Sequence, residues 1–165
     1  MFRYLAGSKS VKNICFIIDS LSGGGAERVV LNLAKAINNF GHKVHLIILE
    51  NKVSYEIDNN HFLLHILTSD RRLSKNKFWN KVLLSRELKK LVASLERQYG
   101  SFNLIVSNLE DSDKISSMAN LPNLFHCYHI SMQQFLNDKT KHPVRIKSLF
   151  RKIKENTRHK YLYNN

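Results

Sequence analysis

Three consecutive glycines, Gly23, Gly24 and Gly25, are the residues whose type and placement most clearly suggest chemistry. Glycine has no Cβ, so its backbone N–H can approach a ligand closely and its φ can be positive. The glycines lie between the apolar run 14–18 and a segment of helical periodicity from Ala26 onward. Because the first N–H groups of a helix have no partner within it, such a loop favours an anion such as a phosphate. A tight turn without a ligand is the alternative, and the glycines alone do not decide between them.

Histidines and carboxylates give weaker signals. His61 and His65 would share one face of a strand, but two histidines are too few for a metal site, and polar strand residues are the favoured interpretation. Glu110, Asp111 and Asp113 cluster at the start of a predicted short helix, where carboxylates complement the helix dipole. We therefore expect no bound metal.

The glycines are flanked by a β-α-β unit. Runs 14–18 and 44–49 are almost wholly apolar, as in the strands of a parallel sheet that is covered on both faces. Gly41 stands where the glycine that ends a helix belongs. The helix between the runs is predicted to bury one broad face: Val29, Val30, Leu33, Ala34, Ile37 and Phe40.

The rest of the chain continues to alternate strands and helices. The predicted segments are strand 61–67, helix 78–98, strand 104–106, strand 123–130 and a basic amphipathic helix 144–163. This alternation predicts an α/β fold, a Rossmann-like parallel sheet flanked by helices. Residues 1–10 are expected to be a loose leader and 11–165 a single domain. His129 stands at the carboxyl end of the last predicted strand, the edge where open α/β sheets bind ligands.

The amino-acid sequence of the β-α-β unit is distinctive. A strand ends in Asp-Ser-Leu, the glycines continue into Ala-Glu-Arg-Val-Val-Leu-Asn-Leu-Ala, and Gly-His-Lys-Val precedes the second strand. This resembles the start of the family 4 glycosyltransferases, which are retaining, nucleotide-sugar-dependent enzymes with the two-domain GT-B fold. The resemblance covers nearly the whole chain but about half of a family enzyme. It implies the N-terminal, acceptor-side half of a GT-B fold, with the C-terminal donor-binding domain absent.

The resemblance also implies roles for individual residues. His129 matches the histidine that faces the donor, and it is the implied catalytic residue. Asn108 stands where family members often have a histidine, so that contact is altered or absent here. The residues expected to bind the donor phosphates or the acceptor are Gly23, Gly24, Gly25, Glu27, Arg28, Asn108 and Ser131. Glu27 and Arg28 would order the loop and the helix start.

The implied reaction is sugar transfer from a nucleotide-diphosphate sugar to a glycan or lipid-linked acceptor, in surface polysaccharide synthesis. Family members need no metal, so the resemblance implies no cofactor, and the nucleotide sugar is a substrate. One half of the cleft cannot position donor and acceptor together, so we expect little or no activity from this chain alone.

Positive charge is concentrated in two segments. The formal net charge is +13; residues 71–90 hold eight basic residues against one acidic, and residues 139–160 hold nine against one. The ordinary interpretation is that these basic residues form a solvated helix face. The more specific interpretation is that they bind an anionic membrane or an acidic partner. The residues expected at such a surface are Arg71, Arg72, Lys75, Lys77, Lys81, Lys89, Lys90, Arg151 and Lys152. No run approaches the ~20 apolar residues of a membrane helix. From the two basic segments we expect a cytoplasmic protein that is attached peripherally to the inner face of the cell membrane.

Two other classes of protein stay open. The charge suggests a nucleic-acid binder, but the sequence has no RNP, KH or zinc-finger motif, and its basic residues are not interleaved with an aromatic platform. A non-catalytic subunit could instead supply this half-fold to a separate polypeptide that carries the other domain. Cys15 and Cys127 have no metal-ligand spacing and fit a reduced cytosolic protein.

Overall fold

The computed structural model describes residues 10–54, 56, 57, 60–68 and 78–127. The chain divides after His126 into two compact units, and the elements described here belong to the first, apart from Cys127. These elements are β1 (Asn13–Ile18), α1 (Gly25–Asn39), β2 (Lys43–Glu50), β3 (Leu63–Thr68), α2 (Phe78–Tyr99), β4 (Leu104–Asn108), α3 (Glu110–Ala119) and β5 (Leu124–Cys127). The predicted leader and the predicted helix 144–163 lie outside the described residues, and the single-domain assignment stays a prediction.

The five strands form one sheet in the order β3-β2-β1-β4-β5. The ladders of β1 with β2, β1 with β4 and β2 with β3 are all parallel. The predicted fold class, a Rossmann-like parallel sheet flanked by helices, is therefore confirmed.

Each face of the sheet carries its own apolar core. Along β1, Cys15 and Ile17 pack with residues of α2 and α3, whereas Phe16 and Ile18 pack with residues of α1. All six residues of β1 are buried, which explains why its apolar residues run without alternation. Full burial of each large apolar side chain stabilises the fold by about 1.5–3 kcal/mol.

Helix α1 ends as predicted, at a glycine. Gly41 has a φ of 87°, and its N–H donates to Asn38 O at 2.8 Å, while the His42 N–H donates to Ile37 O at 3.3 Å. These two bonds form the Schellman motif, which needs a left-handed residue at this position.

The buried stripe of α1 is narrower than predicted. Val30 and Ala34 are fully buried, but Val29, Leu33 and Phe40 are 44%, 42% and 71% exposed. The prediction for these three residues was wrong because the helix touches the sheet along a single line of side chains, so apolar positions beside that line stay in solvent.

Helix α2 agrees closely with the predicted 78–98, and Gly100, with a φ of 91°, follows its end. Leu83, predicted on its apolar face, is 46% exposed. Strand β3 begins at Leu63 and leaves His61 before it, so the predicted pairing of His61 and His65 on one strand face is wrong. Strand β5 begins one residue later than predicted, because Asn123 has a φ of 53° and is not extended.

Candidate functional site

The topological switch point of the sheet lies between β1 and β4. From β1 the chain crosses over α1 to β2 on one side, while β4, followed by α3, lies on the other side of β1. Ile18 and Asn108 are partners in the β1–β4 ladder, so the two following loops leave the sheet at the same level. Crevices outside the carboxyl ends of strands at such a point are where open α/β sheets bind ligands.

The glycine loop forms the α1 side of this switch point. Gly23, Gly24 and Gly25 are exposed, and Gly23 has a φ of 108°, which favours glycine. Gly24 is the N-cap of α1 and has no side chain with which to cap it. As in any helix, the first N–H groups of α1 have no backbone C=O partner within the helix, and they carry its partial positive charge.

Glu27 packs against this loop. Only 7% of the residue is exposed, and a Cβ added to Gly24 would overlap its carboxylate. The φ of −85° and ψ of 171° at Gly24 suit any residue, so a side chain there would require only that the end of the Glu27 side chain move aside. The predicted ordering role of Glu27 stays a prediction. Arg28 is exposed, and its N–H donates to Gly24 O at 3.3 Å.

The residues before the glycines are held by the segment that follows β2. The Leu21 N–H donates to Lys52 O at 2.8 Å, and the Ser54 N–H donates to Leu21 O at 2.8 Å. Leu21 forms a parallel bridge with Val53 and is fully buried. The exposed glycines thus follow an anchored stretch of backbone.

Asp19 joins the glycine loop to α3. Its carboxylate Oδ1 accepts hydrogen bonds from the Ser112 backbone N–H at 2.8 Å and from the Ser112 hydroxyl at 2.5 Å. Leu109, the N-cap of α3, makes no side-chain cap of its own and has a φ of 78°. Asp19, the residue after β1, therefore caps α3 and provides the side-chain bond that Leu109 does not make.

Asn108 is 1% exposed, and its amide bonds to the backbone. Its Nδ2 donates to Val106 O at 3.2 Å and to Ile17 O at 3.4 Å. The bond to Ile17 ties β4 to β1 directly below the switch point, while the bond to Val106 stays within β4. Its predicted contact with a ligand stays a prediction.

A second polar cluster joins β4, α3 and β5, and the sequence analysis missed it. The Ser107 hydroxyl donates to Asp113 Oδ1 at 2.5 Å and lies 2.6 Å from His126 Nδ1. His126 Nδ1 is 3.2 Å from Asp113 Oδ1, and its Nε2 is 3.1 Å from Ser117 Oγ. Asp113 had been assigned only to the helix dipole, because no local pattern reveals partners on two other elements.

The hydrogen bonds of this cluster indicate the tautomer of neutral His126. Ser107 donates its one proton to Asp113, so Nδ1 carries the ring proton and Nε2 accepts from Ser117. The order serine, histidine, aspartate matches a hydrolase triad. Ser117, however, lies in the last turn of α3, where a helix presents C=O groups that cannot stabilise an oxyanion. We interpret the cluster as structural: it fixes β5 to α3.

Two histidines form a pair between β2 and β3. His45 is fully buried, and its Nδ1 lies 3.1 Å from His65 Nε2. The two ring planes are almost parallel, differing by 10°, and the ring centroids are 5.3 Å apart. This separation equals the nitrogen–nitrogen distance plus one ring radius at each end, so the two rings meet end to end. Tyr99 and Phe102 pack edge-on against His45. Burial is the main reason why the pKa of His45 is lowered to about 4, and the positive charges of His65 and Lys43 lower it further. Burial also lowers the pKa of His65.

Several predicted site residues lie outside the described residues: Arg71, Arg72, Lys75, Lys77, His129, Ser131, Arg151 and Lys152. Their roles stay predictions. On α2, Lys81 Nζ pairs with Asp111 Oδ1 at 2.5 Å, and its side chain is only 11% exposed, so its charge is balanced by α3. Lys89 is exposed, and Lys90 pairs with Glu87 at 2.9 Å on the surface.

The described residues contain no cluster of three or more histidine, cysteine, aspartate or glutamate side chains arranged to hold a metal ion. Within the same ranges, no helix has the length and apolar character needed to cross a membrane. Cys15 and Cys127 are free thiols, and burial, then the Glu96 carboxylate, raises the pKa of Cys15.

Comparison with solved structures gives distant likenesses, whereas comparison with protein families and curated proteins gives none. No protein-family profile matches the chain, and no curated protein is significantly similar to it. Over 84% of its length the chain is similar to a crystal structure of LpCGTa in complex with UDP, with 17% sequence identity and a TM-score of 0.47. The chain spans 37% of that protein's length. A likeness this distant carries no argument about the site, whose interpretation rests on the residues of this chain.

Proposed function

We propose that the chain is the N-terminal, acceptor-side half of a retaining GT-B glycosyltransferase of the family 4 kind. The enzyme transfers a sugar from a nucleotide-diphosphate sugar to a glycan or lipid-linked acceptor, in surface polysaccharide synthesis. The observation that carries the proposal is the position of Gly23–Gly25 at the switch point and at the start of α1, a place suited to phosphate. The sequence resemblance of the same segment supplies the reaction class.

The charges of the two helices that begin at the switch point support α1 as the phosphate side. The first turn of α3 carries three carboxylates: Glu110, Asp111 and Asp113. Asp19 adds a fourth through its bonds to Ser112. In the first turn of α1, Glu27 is the acidic residue. Lys81 pairs with Asp111 and Lys114 pairs with Glu110, so the carboxylates of Asp113 and Asp19 are in excess over lysine at the start of α3. At the start of α1, Arg28 follows Glu27. A diphosphate is therefore repelled more strongly by the start of α3 than by that of α1, whose N–H groups favour it.

In the proposed mechanism, the glycine N–H groups hold the donor diphosphate and stabilise the negative charge that develops on it as the bond to the sugar breaks. By the family resemblance, we assign His129 to contact with the donor sugar or the leaving phosphate, and Ser131 to binding of the donor phosphates or the acceptor. Asn108 holds β4 and β1 together beneath them. Both walls of the cleft are needed to orient donor and acceptor, so the isolated chain has little or no activity. The proposal includes no metal.

Peripheral attachment to an anionic membrane, at its cytoplasmic face, is part of the proposal. Phe78 and Trp79 at the start of α2 are 61% and 75% exposed and contact each other edge to face, with centroids 5.7 Å apart. Four basic residues precede them closely in the sequence: Arg71, Arg72, Lys75 and Lys77. Aromatic rings beside basic residues are typical of a lipid interface, and each basic residue near anionic lipid contributes about 1 kcal/mol.

Cosedimentation with vesicles tests this attachment. The chain should bind phosphatidylglycerol vesicles and leave phosphatidylcholine vesicles free, Trp79→Ala should weaken the binding, and added salt should reduce it. Binding that is unchanged at high ionic strength would contradict the electrostatic explanation.

Calorimetric titration with UDP and GDP tests the glycine loop. Gly25→Val is the sharpest variant, because a Cβ at Gly25 meets no protein atom within 4 Å and so obstructs a ligand without disturbing the chain. Ala36→Val, at an exposed position in the same helix, is the matched control. Binding that Gly25→Val abolishes and Ala36→Val preserves supports the proposal. Binding that appears only after a separate donor-side domain is added would identify a split enzyme, and binding of nonspecific RNA with no response to nucleotides would favour a nucleic-acid binder.

A further inference from the structure

Asp19 bonds to two other elements at the carboxyl edge of the sheet, β2 and α3. Its carboxylate caps α3 through Ser112, and its backbone O accepts a hydrogen bond from the Glu50 N–H at 3.0 Å. It also directly follows β1 and precedes the anchored stretch at Leu21. The end of β2 and the first turn of α3 therefore both bond to the residue that leads into the glycine loop.

The bonds between Asp19 and Ser112 join a half-buried carboxylate to a buried serine. Ser112 is fully buried, so loss of the carboxylate would leave its N–H and its hydroxyl without this acceptor inside the protein. A carboxylate is also favoured over a neutral acceptor, because it faces the positive end of the α3 dipole. An asparagine could still accept one bond through its amide oxygen, whereas an alanine could accept none.

We propose that Asp19 is a positioning residue of the switch point: it fixes the start of the glycine loop to α3 and thereby sets the separation of the two sides that would hold a nucleotide diphosphate. The ligand named here rests on the proposed function, but the coupling of the two loops does not. Asp19 acts through the backbone of Gly23–Gly25, which follows it by a few residues.

Amide hydrogen exchange on the full chain tests the coupling. Asp19→Ala should speed exchange at residues 112–113 and also within residues 20–25 at Leu21, whose N–H is bonded to Lys52 O, by about fivefold or more, as expected for the loss of a helix cap. Asp19→Asn should give a smaller change in both segments, and it serves as the readout if the alanine variant does not fold. Asp111→Asn is the matched control, because it removes a carboxylate from the same helix turn that pairs instead with Lys81.

A change confined to 112–113 would reduce Asp19 to a helix cap and overturn the proposal. Equal acceleration of 20–25 in Asp111→Asn, or no acceleration in either Asp19 variant, would overturn it as well. UDP titration separates this result from the proposed function. If the wild-type chain binds UDP, Asp19→Ala should weaken the affinity and Asp111→Asn should not. If the wild-type chain and its mixture with a donor-side domain both fail to bind, the proposed function fails while the exchange data still decide the role of Asp19.

Discussion

The buried pair of His45 and His65 should make the fold sensitive to mild acid. The pKa of His45 is lowered from 6.5 to about 4 in the folded protein, so between these values the unfolded chain binds a proton that the folded chain does not. Stability from this residue is complete above pH 6.5 and is lost as the pH falls towards 4. At about 1.4 kcal/mol per pKa unit, the shift corresponds to a loss of about 3 kcal/mol over this range.

The cause of this sensitivity is the environment of His45 on three elements. The groups around it are His65 on β3, Lys43 on β2, and Tyr99 and Phe102 at the end of α2 and beyond it. None of these groups offers a negative charge to a protonated His45, and burial removes the stabilisation that water would give.

Urea denaturation at several values between pH 7 and pH 4.5 measures the effect. The unfolding free energy of the wild type should fall steeply below pH 6.5, and His45→Gln should flatten that fall because glutamine does not titrate. Leu46→Ala is the control: Leu46 is a fully buried neighbour on β2, so this variant is destabilised at every pH yet keeps the wild-type slope. A slope in His45→Gln as steep as that of the wild type would refute the reasoning.

Two further substitutions test the packing of the site. Gly24→Ala should lower the unfolding free energy by about 1 kcal/mol, the low end of the usual cost of overpacking, since its Cβ displaces only the end of the Glu27 side chain. Adding Glu27→Ala should recover part of the loss, and a double variant as unstable as the single one would contradict this. Asp113→Ala should lower the unfolding free energy by about 3 kcal/mol, since it leaves Ser107 and His126 without their buried acceptor. Ser117→Ala should lower it by only about 1 kcal/mol. Equal losses for the two variants in urea denaturation would argue against a buried charged centre.

The elements built from local patterns could be predicted from the sequence. The apolar runs of β1 and β2 indicate strands buried on both faces, and Gly41 ends α1 because only a left-handed residue completes that cap. The glycine loop was predicted for the same reason, since strand, turn and helix follow each other directly in the chain.

The contacts between distant segments could not be predicted in this way. Asp19 caps a helix that begins far along the chain at Glu110, and His126 depends on partners from β4 and α3. The histidine pair joins His45, not His61, to His65, because strand register decides which side chains meet. Such contacts depend on the order of strands in the sheet, which periodicity does not specify.

The most direct test of the central claim follows the backbone amide resonances of Gly23, Gly24 and Gly25 by NMR while UDP, pyrophosphate or uridine is added to the chain. If the loop is the phosphate side of a glycosyltransferase cleft, UDP and pyrophosphate should shift these resonances and uridine alone should not. Resonances that stay unmoved with every ligand, both in the chain alone and in its mixture with a donor-side domain, would contradict the assignment of the glycine loop to the donor diphosphate. Resonances that move with uridine as much as with UDP would contradict it as well.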